Sequence, residues 1–471
     1  MHARVITTEQ LAVARVGSLA YTTFHLYEDA QLSSLREWIE TKMNHDPTTD
    51  KDGLSFQVWG LFHPQPSPAI SFGLTGKPDT TDMSAGLAAH WIHCSYPVNL
   101  FNAVRLVGGL CFVGVDMLHK KRGFAKQVVT HFLHECNTKG HHLAALYPFR
   151  SDFYAKMGFG LSSSYHDYVI SPASLPSSPS VQASKKARVA SYTTLQHLDT
   201  SHAAEISACQ MRFAKTRHGM FLLPVELIKD TVFEGKAGSK RAIGYRDESS
   251  TLRGFISFEF VSTTNGPFIN DLKILDLVYE TEEAFFALLQ FLNEQQDQIR
   301  HVLYTTQEPD FFRLLSDPRD AAAIGAQAGL AGFCRVASTE TIGLMYRVVN
   351  LEKLFSKYFS DRDFNGVDGF KLLIRLQDTF VPELNPPVLL QLTGGRATVI
   401  GSGDAVLEME GADDVVALDM DVSDFSSLVV GAVSLNVLLR YGKASVAPVE
   451  KKAVVARMFW TEDAPMNSFF F

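Results

Sequence analysis

The chain has 471 residues, a formal net charge of −8 and 46% hydrophobic residues. This length predicts about three domains, and the acidic balance argues against a general nucleic-acid-binding protein. The start of the chain does not resemble a signal peptide, and no apolar run approaches the roughly 20 residues of a membrane span. We therefore expect a cytoplasmic protein without a membrane span.

Five cysteines are scattered along the chain without a CxxC pair: Cys94, Cys111, Cys136, Cys209 and Cys334. They predict neither a disulfide framework nor a zinc site, which fits a reducing cytoplasm. His141 and His142 are adjacent, but neither has a partner at the spacing of metal ligands. We expect a packed or surface pair of histidines, and no metal is predicted.

The first informative feature is an apolar strand that runs into a basic turn and then a helix. Residues 110–115 predict the strand, residues 120–123 form a Lys-Lys-Arg-Gly turn, and residues 124–136 carry apolar side chains at helical spacing. A helix start offers unpaired N–H groups and the positive end of the dipole, which favour a phosphate. The pattern predicts a pyrophosphate site, but an ordinary strand–helix junction with a solvated turn has the same pattern.

A linker is predicted at residues 171–186, because this segment contains three prolines, six serines and almost no large apolar residue. Such a composition is typical of an extended connection between packed units. The first domain is therefore predicted to span residues 1–172, with the linker at 173–186.

A second unit of the same architecture is predicted at residues 187–350. Residues 252–261 and 272–278 predict strands, and Thr281 predicts the N-cap of a helix through about residue 299. The turn at 279–283 has no glycine and carries three carboxylates, which repel phosphate. We expect this unit to be structural or to shape the substrate site.

The last unit, residues 351–471, contains short strand-like runs separated by turn residues. Strands are predicted at 370–376, 388–392, 397–400, 406–410 and 415–420, and helices at 424–428 and 434–441. The predicted fold class is therefore α+β (mixed α/β): two tandem units of one architecture, followed by a smaller α+β unit.

These features resemble known proteins. Residues 120–125 resemble motif A of the GNAT N-acetyltransferases, with Lys120 where Gln or Arg is usual. Together with residues 153–160, residues 315–319 and the three phenylalanines at 469–471, they resemble in order and spacing the Eis (enhanced intracellular survival) acetyltransferase family. The resemblance covers essentially the whole chain and implies two tandem GNAT domains followed by a sterol-carrier-protein-like domain.

The Eis resemblance implies acetyl-CoA as the cosubstrate, no metal, and two catalytic groups. Tyr154 is implied to donate a proton to the leaving CoA thiolate, and the terminal carboxylate of Phe471 to accept one from the attacking ammonium. By residue type alone, Tyr154 is a core aromatic, and the three terminal phenylalanines are a hydrophobic plug or an oligomer contact. The residues implied to contact CoA are Val113, Gly114, Val115, Lys120, Lys121, Arg122, Gly123, Phe124, Ala125, Lys126, Phe149 and Arg150.

The predicted function is acetyl transfer to a primary amine, of the aminoglycoside, polyamine or lysine type, by direct transfer in a ternary complex. The resemblance also implies a closed homo-oligomer such as a hexamer. The alternative is a non-catalytic apolar-ligand-binding or scaffold protein with vestigial GNAT units. Glu28, Asp29 and Glu37 are candidates for lining an acceptor pocket, although they also fit a solvated helix face.

Overall fold

The computed structural model describes residues 2–5, 55–62, 87–177, 195–233, 239–263, 269–322 and 334–471. Their strands are β1 His2–Val5, β2 Ser55–Phe62, β3 Leu87–Leu100, β4 Ala103–Val115, β5 Leu143–Leu146, β6 Gly160–Leu161, β7 Tyr165–Ile170, β8 Leu195–Leu198, β9 Lys240–Arg246, β10 Leu252–Ser262, β11 Asn270–Tyr279, β12 Ile299–Thr306, β13 Thr339–Thr341, β14 Met345–Val348, β15 Phe370–Gln377, β16 Val388–Thr393, β17 Arg396–Ser402, β18 Val415–Asp421 and β19 Ala444–Ala447.

The α-helices are α1 Phe124–Lys139, α2 Ser151–Ala155, α3 Ala203–Ala214, α4 Val225–Ile228, α5 Glu282–Asn293, α6 Leu351–Lys353, α7 Val422–Val429, α8 Leu435–Arg440 and α9 Lys452–Met458. Parallel and antiparallel pairings occur together in three sheets, so the predicted mixed α/β class is confirmed. Within the described parts of the chain, no helix is both long and apolar enough to cross a membrane.

The first two sheets exchange a strand. The first has the order β1-β2-β3-β4-β5-β14-β6, and the second has the order β13-β7-β12-β11-β10-β9-β8. Thus β7 leaves the first unit to pair with β12, while β14 returns from the second unit to pair with β5 and β6. The predicted ranges 1–172 and 187–350 remain predictions as segments, but neither builds a sheet alone.

The start of the predicted linker is packed rather than extended. Leu175 is only 3% exposed and belongs to the core of the second sheet. The side-chain amide of Asn293 on α5 donates to the carbonyl oxygens of Pro172 at 3.1 Å and Leu175 at 2.9 Å. The one leucine of this segment therefore anchors it, while residues 178–186 lie outside the described residues.

In the second unit the predicted strands are confirmed as β10 and β11, but the predicted helix is too long. It begins after Thr281, whose hydroxyl accepts from the N–H of Ala284 at 3.2 Å, and it ends at Asn293 rather than near residue 299. Ile299 instead opens β12, which runs parallel to β11 and buries Ile299 and Val302. Helical periodicity alone assigns these residues to the helix, but pairing in the sheet determines where the helix ends.

The third sheet has the order β17-β16-β15-β18-β19 and confirms four of the five strands predicted in the last unit. Asp421 and Ser434 cap α7 and α8, which confirms both predicted helices. The strand predicted at 406–410 is wrong, because a 3-10 helix, Asp404–Met409, follows Gly403 with its φ of +86°. A left-handed glycine reverses the chain there, and Val406 alone of this run is buried.

One glycine lets α7 of the last unit pack directly against the first sheet. A Cβ at Gly160, on β6, would overlap with the carbonyl oxygen of Ser423 and the hydroxyl of Ser427 on α7. Because the carbonyl is part of a helical backbone, it cannot rotate away from an added methyl group. The close approach of the two units therefore depends on glycine at this position.

Gly160→Ala is expected to lower the free energy of unfolding by about 3 kcal/mol, since the added methyl group overpacks a rigid contact. Gly411→Ala is the control, because Gly411 has a φ of +85° but no atom within 4 Å of an added Cβ. For Gly411→Ala we expect the free energy of unfolding to fall by only about 1 kcal/mol, because of backbone strain. Urea denaturation of the two variants makes the comparison, and an equal loss at both positions would contradict the close packing.

Candidate functional site

The first sheet opens between β4 and β5. These parallel strands pair at only two positions, Gly108 with Ala144 and Gly109 with Ala145. β5 ends at Leu146, while β4 continues to Val115. Among the described strands, none pairs with this far edge of β4, so the backbone of residues 110–115 can take an extended ligand in place of a strand.

A β-bulge bends β4 just where the opening begins. His90 of β3 faces Gly114, and Ile92 faces Cys111, so two residues of β4 lie opposite one residue of β3. Phe112, one of the two, has a φ of +47°. Bulges of this kind bend the strand and increase its twist, which here turns the end of β4 away from its regular path.

The basic turn and the helix follow β4 as predicted. The first bond within α1 runs from the N–H of Gln127 to the carbonyl of Gly123 at 3.1 Å, so the three N–H groups before Gln127 lie at the open helix start. Gly123 has a φ of +82°, and an added Cβ there would meet no atom within 4 Å. The backbone angle, rather than crowding, makes glycine suitable at this turn.

Exposed cations surround this helix start, and the opposite face of the helix is buried. Lys120, Lys121 and Arg122 are all exposed, and Lys126 extends the basic surface into the first turn. The predicted apolar face is confirmed, with Ala125 half-buried and these side chains buried: Phe124, Val128, Val129, Phe132, Leu133 and Cys136. Burial of this face fixes the helix start beside the opening of the sheet.

Tyr154 lies on α2 and is 3% exposed. Its ring packs edge-on against Phe149, Phe153 and Phe159, at centroid distances of 5.8, 5.1 and 5.9 Å. Burial raises the pKa of the Tyr154 phenol well above its ordinary value, because the phenolate would lose its hydration. The hydroxyl therefore keeps its proton at neutral pH, as a proton donor must.

The two residues before α2 lie at the surface. Phe149 is 73% exposed, although its ring contacts Tyr154. The guanidinium of Arg150 is exposed and paired with Asp152, with contacts of 3.0 and 2.5 Å. An exposed pair of this kind contributes little to stability, so a phosphate can replace Asp152 as the partner of Arg150 at small cost.

The C-terminal tail docks where β4 and β5 separate. A Cβ on Gly109 would lie 3.2 Å from Cε2 of Phe471. The ring of Phe471 also contacts Tyr96, Tyr147 and Phe221, at centroid distances of 4.8, 5.3 and 5.4 Å. The last residue of the chain therefore lies beside the first residues of the opening, in a half-buried position.

Polar side chains from both of the first two sheets hold this tail. The Tyr147 hydroxyl, just after β5, donates to the carbonyl of Phe469 at 2.9 Å and lies 2.8 Å from the Tyr165 hydroxyl on β7. The amide of Asn467 donates to the same carbonyl at 2.6 Å, and Gln307, just after β12, accepts from the Asn467 N–H at 2.5 Å. No local pattern in the sequence predicts these contacts.

The second unit adds a half-buried carboxyl near the tail. Asp276, on β11, accepts a hydrogen bond from the Ser468 hydroxyl, and burial raises the pKa of Asp276 from 3.8 to about 6. No sequence pattern distinguishes this residue, because one aspartate in a strand belongs to no motif. Its charge at neutral pH adds a negative group beside the docked tail.

Asp276→Asn is expected to stabilise the protein by about 1 to 3 kcal/mol at pH 8 and to change little at pH 4. The pKa in the folded state, about 6, lies above the ordinary value of 3.8, so the folded protein binds the proton more tightly. Stability is therefore lost as the pH rises from about 4 to about 6. Thermal unfolding at both pH values checks this, with the exposed Asp413→Asn as control; a similar pH dependence of the two variants would contradict it.

The acidic turn of the second unit is engaged in ion pairs. Glu280 lies 2.6 Å from Arg212 and 3.2 Å from Arg253. Glu282 and Glu283 occupy the first turn of α5, where carboxylates suit the helix dipole. The start of α5 therefore already carries the negative groups that a helix dipole favours, whereas the start of α1 is surrounded by cations.

His141 and His142 are both buried, as the packed alternative predicted, but the structure gives His141 partners that its sequence spacing does not show. Its Nδ1 lies 3.4 Å from Nε2 of His93, and Sγ of Cys136 lies 3.9 Å from that same Nε2. All three residues are buried. His93 lies more than 40 residues away in the chain, so the sequence alone does not bring the three together. The acceptor-pocket candidates Glu28, Asp29 and Glu37 lie outside the described residues.

Comparisons with protein families identify the two units. Residues 85–162 match one family model described as an acetyltransferase (GNAT) domain, and residues 226–336 match a second family model with the same description. These matches confirm the predicted enzyme class, an N-acetyltransferase, for which GNAT domains imply acetyl-CoA as cosubstrate. No curated protein matches the sequence.

Several solved structures share the fold along the whole chain. A probable N-acyltransferase from Enterococcus faecalis, described as a conserved protein of unknown function, is 15% identical with a TM-score of 0.73, over 100% of this chain and 99% of that chain. A GCN5-related N-acetyltransferase from Anabaena variabilis is 16% identical with a TM-score of 0.67, over 100% of both chains. Eis1 from Mycobacterium abscessus is 16% identical with a TM-score of 0.66, also over 100% of both. At these identities the likeness establishes a common fold.

Proposed function

We propose that the protein transfers the acetyl group of acetyl-CoA to a primary amine, of the aminoglycoside, polyamine or lysine type, by direct transfer in a ternary complex. The observation that carries the proposal is the meeting of three features in the first GNAT unit. The opening between β4 and β5 is continuous with the basic start of α1 at one end and has Phe471 against Gly109 at the other.

The proposed cosubstrate position follows the open edge of β4. The amides of pantetheine pair with the backbone of Val113, Gly114 and Val115 in the manner of an added strand. The pyrophosphate lies against the N–H groups of residues 124–126, which the dipole of α1 makes favourable for an anion. The side chains of residues 120–122 add charge-assisted hydrogen bonds. Phe149 and Arg150 border the same site from the start of α2.

In the proposed reaction, the amine nitrogen attacks the thioester carbonyl, so a C–N bond forms and the C–S bond breaks. The carboxylate of Phe471 accepts the proton that the ammonium must lose, directly or through water. Tyr154 donates its hydroxyl proton to the leaving sulfur. Its hydroxyl carries a proton at neutral pH, as this role requires.

The second unit and the last unit have supporting roles in this proposal. The acidic, glycine-free turn of the second unit favours a structural or substrate-shaping role over a second acetyl-CoA site. We further propose that residues 351–471 form a sterol-carrier-protein-like domain and that the protein is a cytoplasmic homo-oligomer, such as a hexamer. These proposals rest on the Eis resemblance and are supported by the fold shared with Eis1 over the whole chain.

Acetyl-CoA binding and CoA release with an amine panel test the proposal. Replacing Lys121 and Arg122 together by glutamine is expected to raise the Kd for acetyl-CoA at least about 10-fold, because charge-assisted contacts with phosphate are lost. Replacing Arg313 and Arg319, two exposed arginines of the second unit, by glutamine is the matched control and should leave the Kd unchanged. A wild-type protein that neither binds acetyl-CoA nor releases CoA with any amine would overturn the proposal.

A further inference from the structure

Three buried side chains on the inner side of α1 converge outside the proposed acetyl-CoA site. We call His93, Cys136 and His141 the thiol–imidazole cluster. Their ligand atoms, one thiol sulfur and one nitrogen from each imidazole, all lie within 4.8 Å of one another. The exposed fractions of the three are 0%, 0% and 3%. Within the described parts of the chain, these are the residues whose arrangement fits a transition-metal ion.

Local structure fixes each member of the cluster. Cys136 lies in the last turn of α1, and the helix ends at Gly140 with a φ of +79°. This left-handed turn brings the N–H of His141 to 2.8 Å from the carbonyl of Cys136, so both side chains belong to one rigid helix end. His93 comes from β3, on which α1 packs, and its ring is 4.9 Å from that of Phe132.

The distances match those between ligands of a bound ion. In a tetrahedral site with nitrogen at about 2.05 Å and sulfur at about 2.3 Å, two nitrogens lie about 3.3 Å apart, and nitrogen and sulfur about 3.6 Å. Here the two nitrogens are 3.4 Å apart, and the sulfur is 3.9 Å from the nitrogen of His93. The remaining pair, Sγ of Cys136 and Nδ1 of His141, lies within 4.8 Å, so an adjustment of at most about 1 Å completes the match.

The surroundings of the cluster also fit a metal site. Nε2 of His141 lies 3.0 Å from the hydroxyl of Ser95, the kind of outer hydrogen bond that orients a ligating imidazole. Gly108 of β4 faces the cluster, and a Cβ there would lie 2.5 Å from Sγ of Cys136 and 3.3 Å from Nδ1 of His141. Glycine therefore keeps this space free of side chain.

Hydrogen bonds within the protein do not account fully for the cluster. The contact between Nε2 of His93 and Nδ1 of His141, at 3.4 Å, is long for a hydrogen bond. Burying two imidazoles and a thiol costs free energy unless their polar atoms are used. A bound ion uses the inner nitrogen of each imidazole and the sulfur together, which offsets that cost.

We propose that His93, Cys136 and His141 supply three ligands to one closed-shell d10 ion, Zn²⁺ or Cu⁺, and that a water would complete the coordination of Zn²⁺. Both ions accept thiolate and imidazole ligands and impose little geometric preference of their own. On binding, the Cys136 thiol releases its proton to solvent, and a metal–sulfur bond replaces the S–H bond. The ion joins the C-terminal end of α1 to β3 and thereby fixes the helix whose other end lies at the acetyl-CoA site.

The test uses the full-length protein after treatment with a chelator. Adding one equivalent of Zn²⁺ is expected to give one bound ion per chain by elemental mass spectrometry and to raise the melting temperature by about 5 °C. Co²⁺ in place of zinc should produce a thiolate-to-cobalt absorption band. Cu⁺ is added in a parallel arm, and stoichiometric binding of either d10 ion supports the site.

Cys136→Ala should abolish metal binding, the thermal shift and the cobalt band. Cys209→Ala, which alters another fully buried cysteine on α3, is the matched control and should retain all three. Should the Cys136 variant fail to fold, the cobalt spectrum of the wild type decides the question. Lack of stoichiometric binding by both Zn²⁺ and Cu⁺, a cobalt complex without the thiolate band, or unchanged binding in a folded Cys136 variant would overturn the proposal.

Discussion

Extending the chain by one glycine beyond Phe471 is expected to lower kcat for acetyl transfer about 100-fold, with little change in the Kd for acetyl-CoA. The extension moves the carboxylate by up to about 3.5 Å, so it can no longer accept the proton of the attacking ammonium at the same place. The side chain of Phe471 keeps its contacts with Tyr96, Tyr147 and Phe221. The effect should therefore appear in the chemical step rather than in cosubstrate binding.

A C-terminal carboxamide at Phe471, made by semisynthesis, separates charge from length. It keeps every side chain of the tail but removes the anionic base, and we expect a loss of kcat similar to that of the extended protein. A loss of kcat in the extended protein alone would indicate that activity depends on the length of the chain rather than on the charge of the carboxylate. Full activity in both proteins would show that the terminal carboxylate has no part in the reaction.

Tyr154→Phe should lower kcat about 100-fold and leave the Kd for acetyl-CoA nearly unchanged, because it removes one hydroxyl while keeping the buried ring. The packing against Phe149, Phe153 and Phe159 needs no hydroxyl and should persist. Steady-state CoA release and isothermal titration with acetyl-CoA measure the two quantities.

The matched control for this variant is Tyr245→Phe. Tyr245 is also a largely buried tyrosine, 8% exposed, but it lies on β9 of the second sheet. Its replacement should leave kcat unchanged. A Tyr154 variant with normal kcat would exclude the hydroxyl as the proton donor, and a variant with weakened acetyl-CoA binding but normal kcat would indicate a packing role.

The two proposed catalytic groups come from distant parts of the chain. Tyr154 belongs to the first unit, and Phe471 ends the last unit. The strand exchange brings the first two sheets together at the tail, since Tyr147 follows β5 while Gln307 follows β12. A change that weakens this arrangement is therefore expected to lower activity without altering either proposed catalytic residue.

Local features of the sequence predicted the elements that surround the proposed site. Apolar residues at helical spacing identified the buried face of α1, because side chains three and four residues apart share a face of a helix. The turn before α1 was identified by its glycine and cations, and Gly123 has the left-handed φ that favours glycine. The carboxylates at the start of α5 likewise distinguished the second unit, since charge at a helix end acts locally.

Sequence patterns were less successful at the ends of elements. Residues 294–298 were predicted to be helical, but the helix stops because Ile299 pairs in a sheet. The run at 406–410 has the alternation of a strand, yet the left-handed Gly403 starts a 3-10 helix. In both places a short sequence pattern is compatible with either a helix or a strand. Strand pairing in the first case and the turn at Gly403 in the second determine which one forms.

Only the tertiary structure decided which distant residues meet. The exchange of β7 and β14, the hydrogen bond between Tyr147 and Phe469 across 322 residues, and the approach of His93 to His141 across 48 residues leave no periodic signal in the chain. Helical faces, caps and left-handed turns depend on neighbours within a few residues, so the sequence determines them directly. Strand partners, a docked tail and a buried cluster depend on the free energy of the whole packed core.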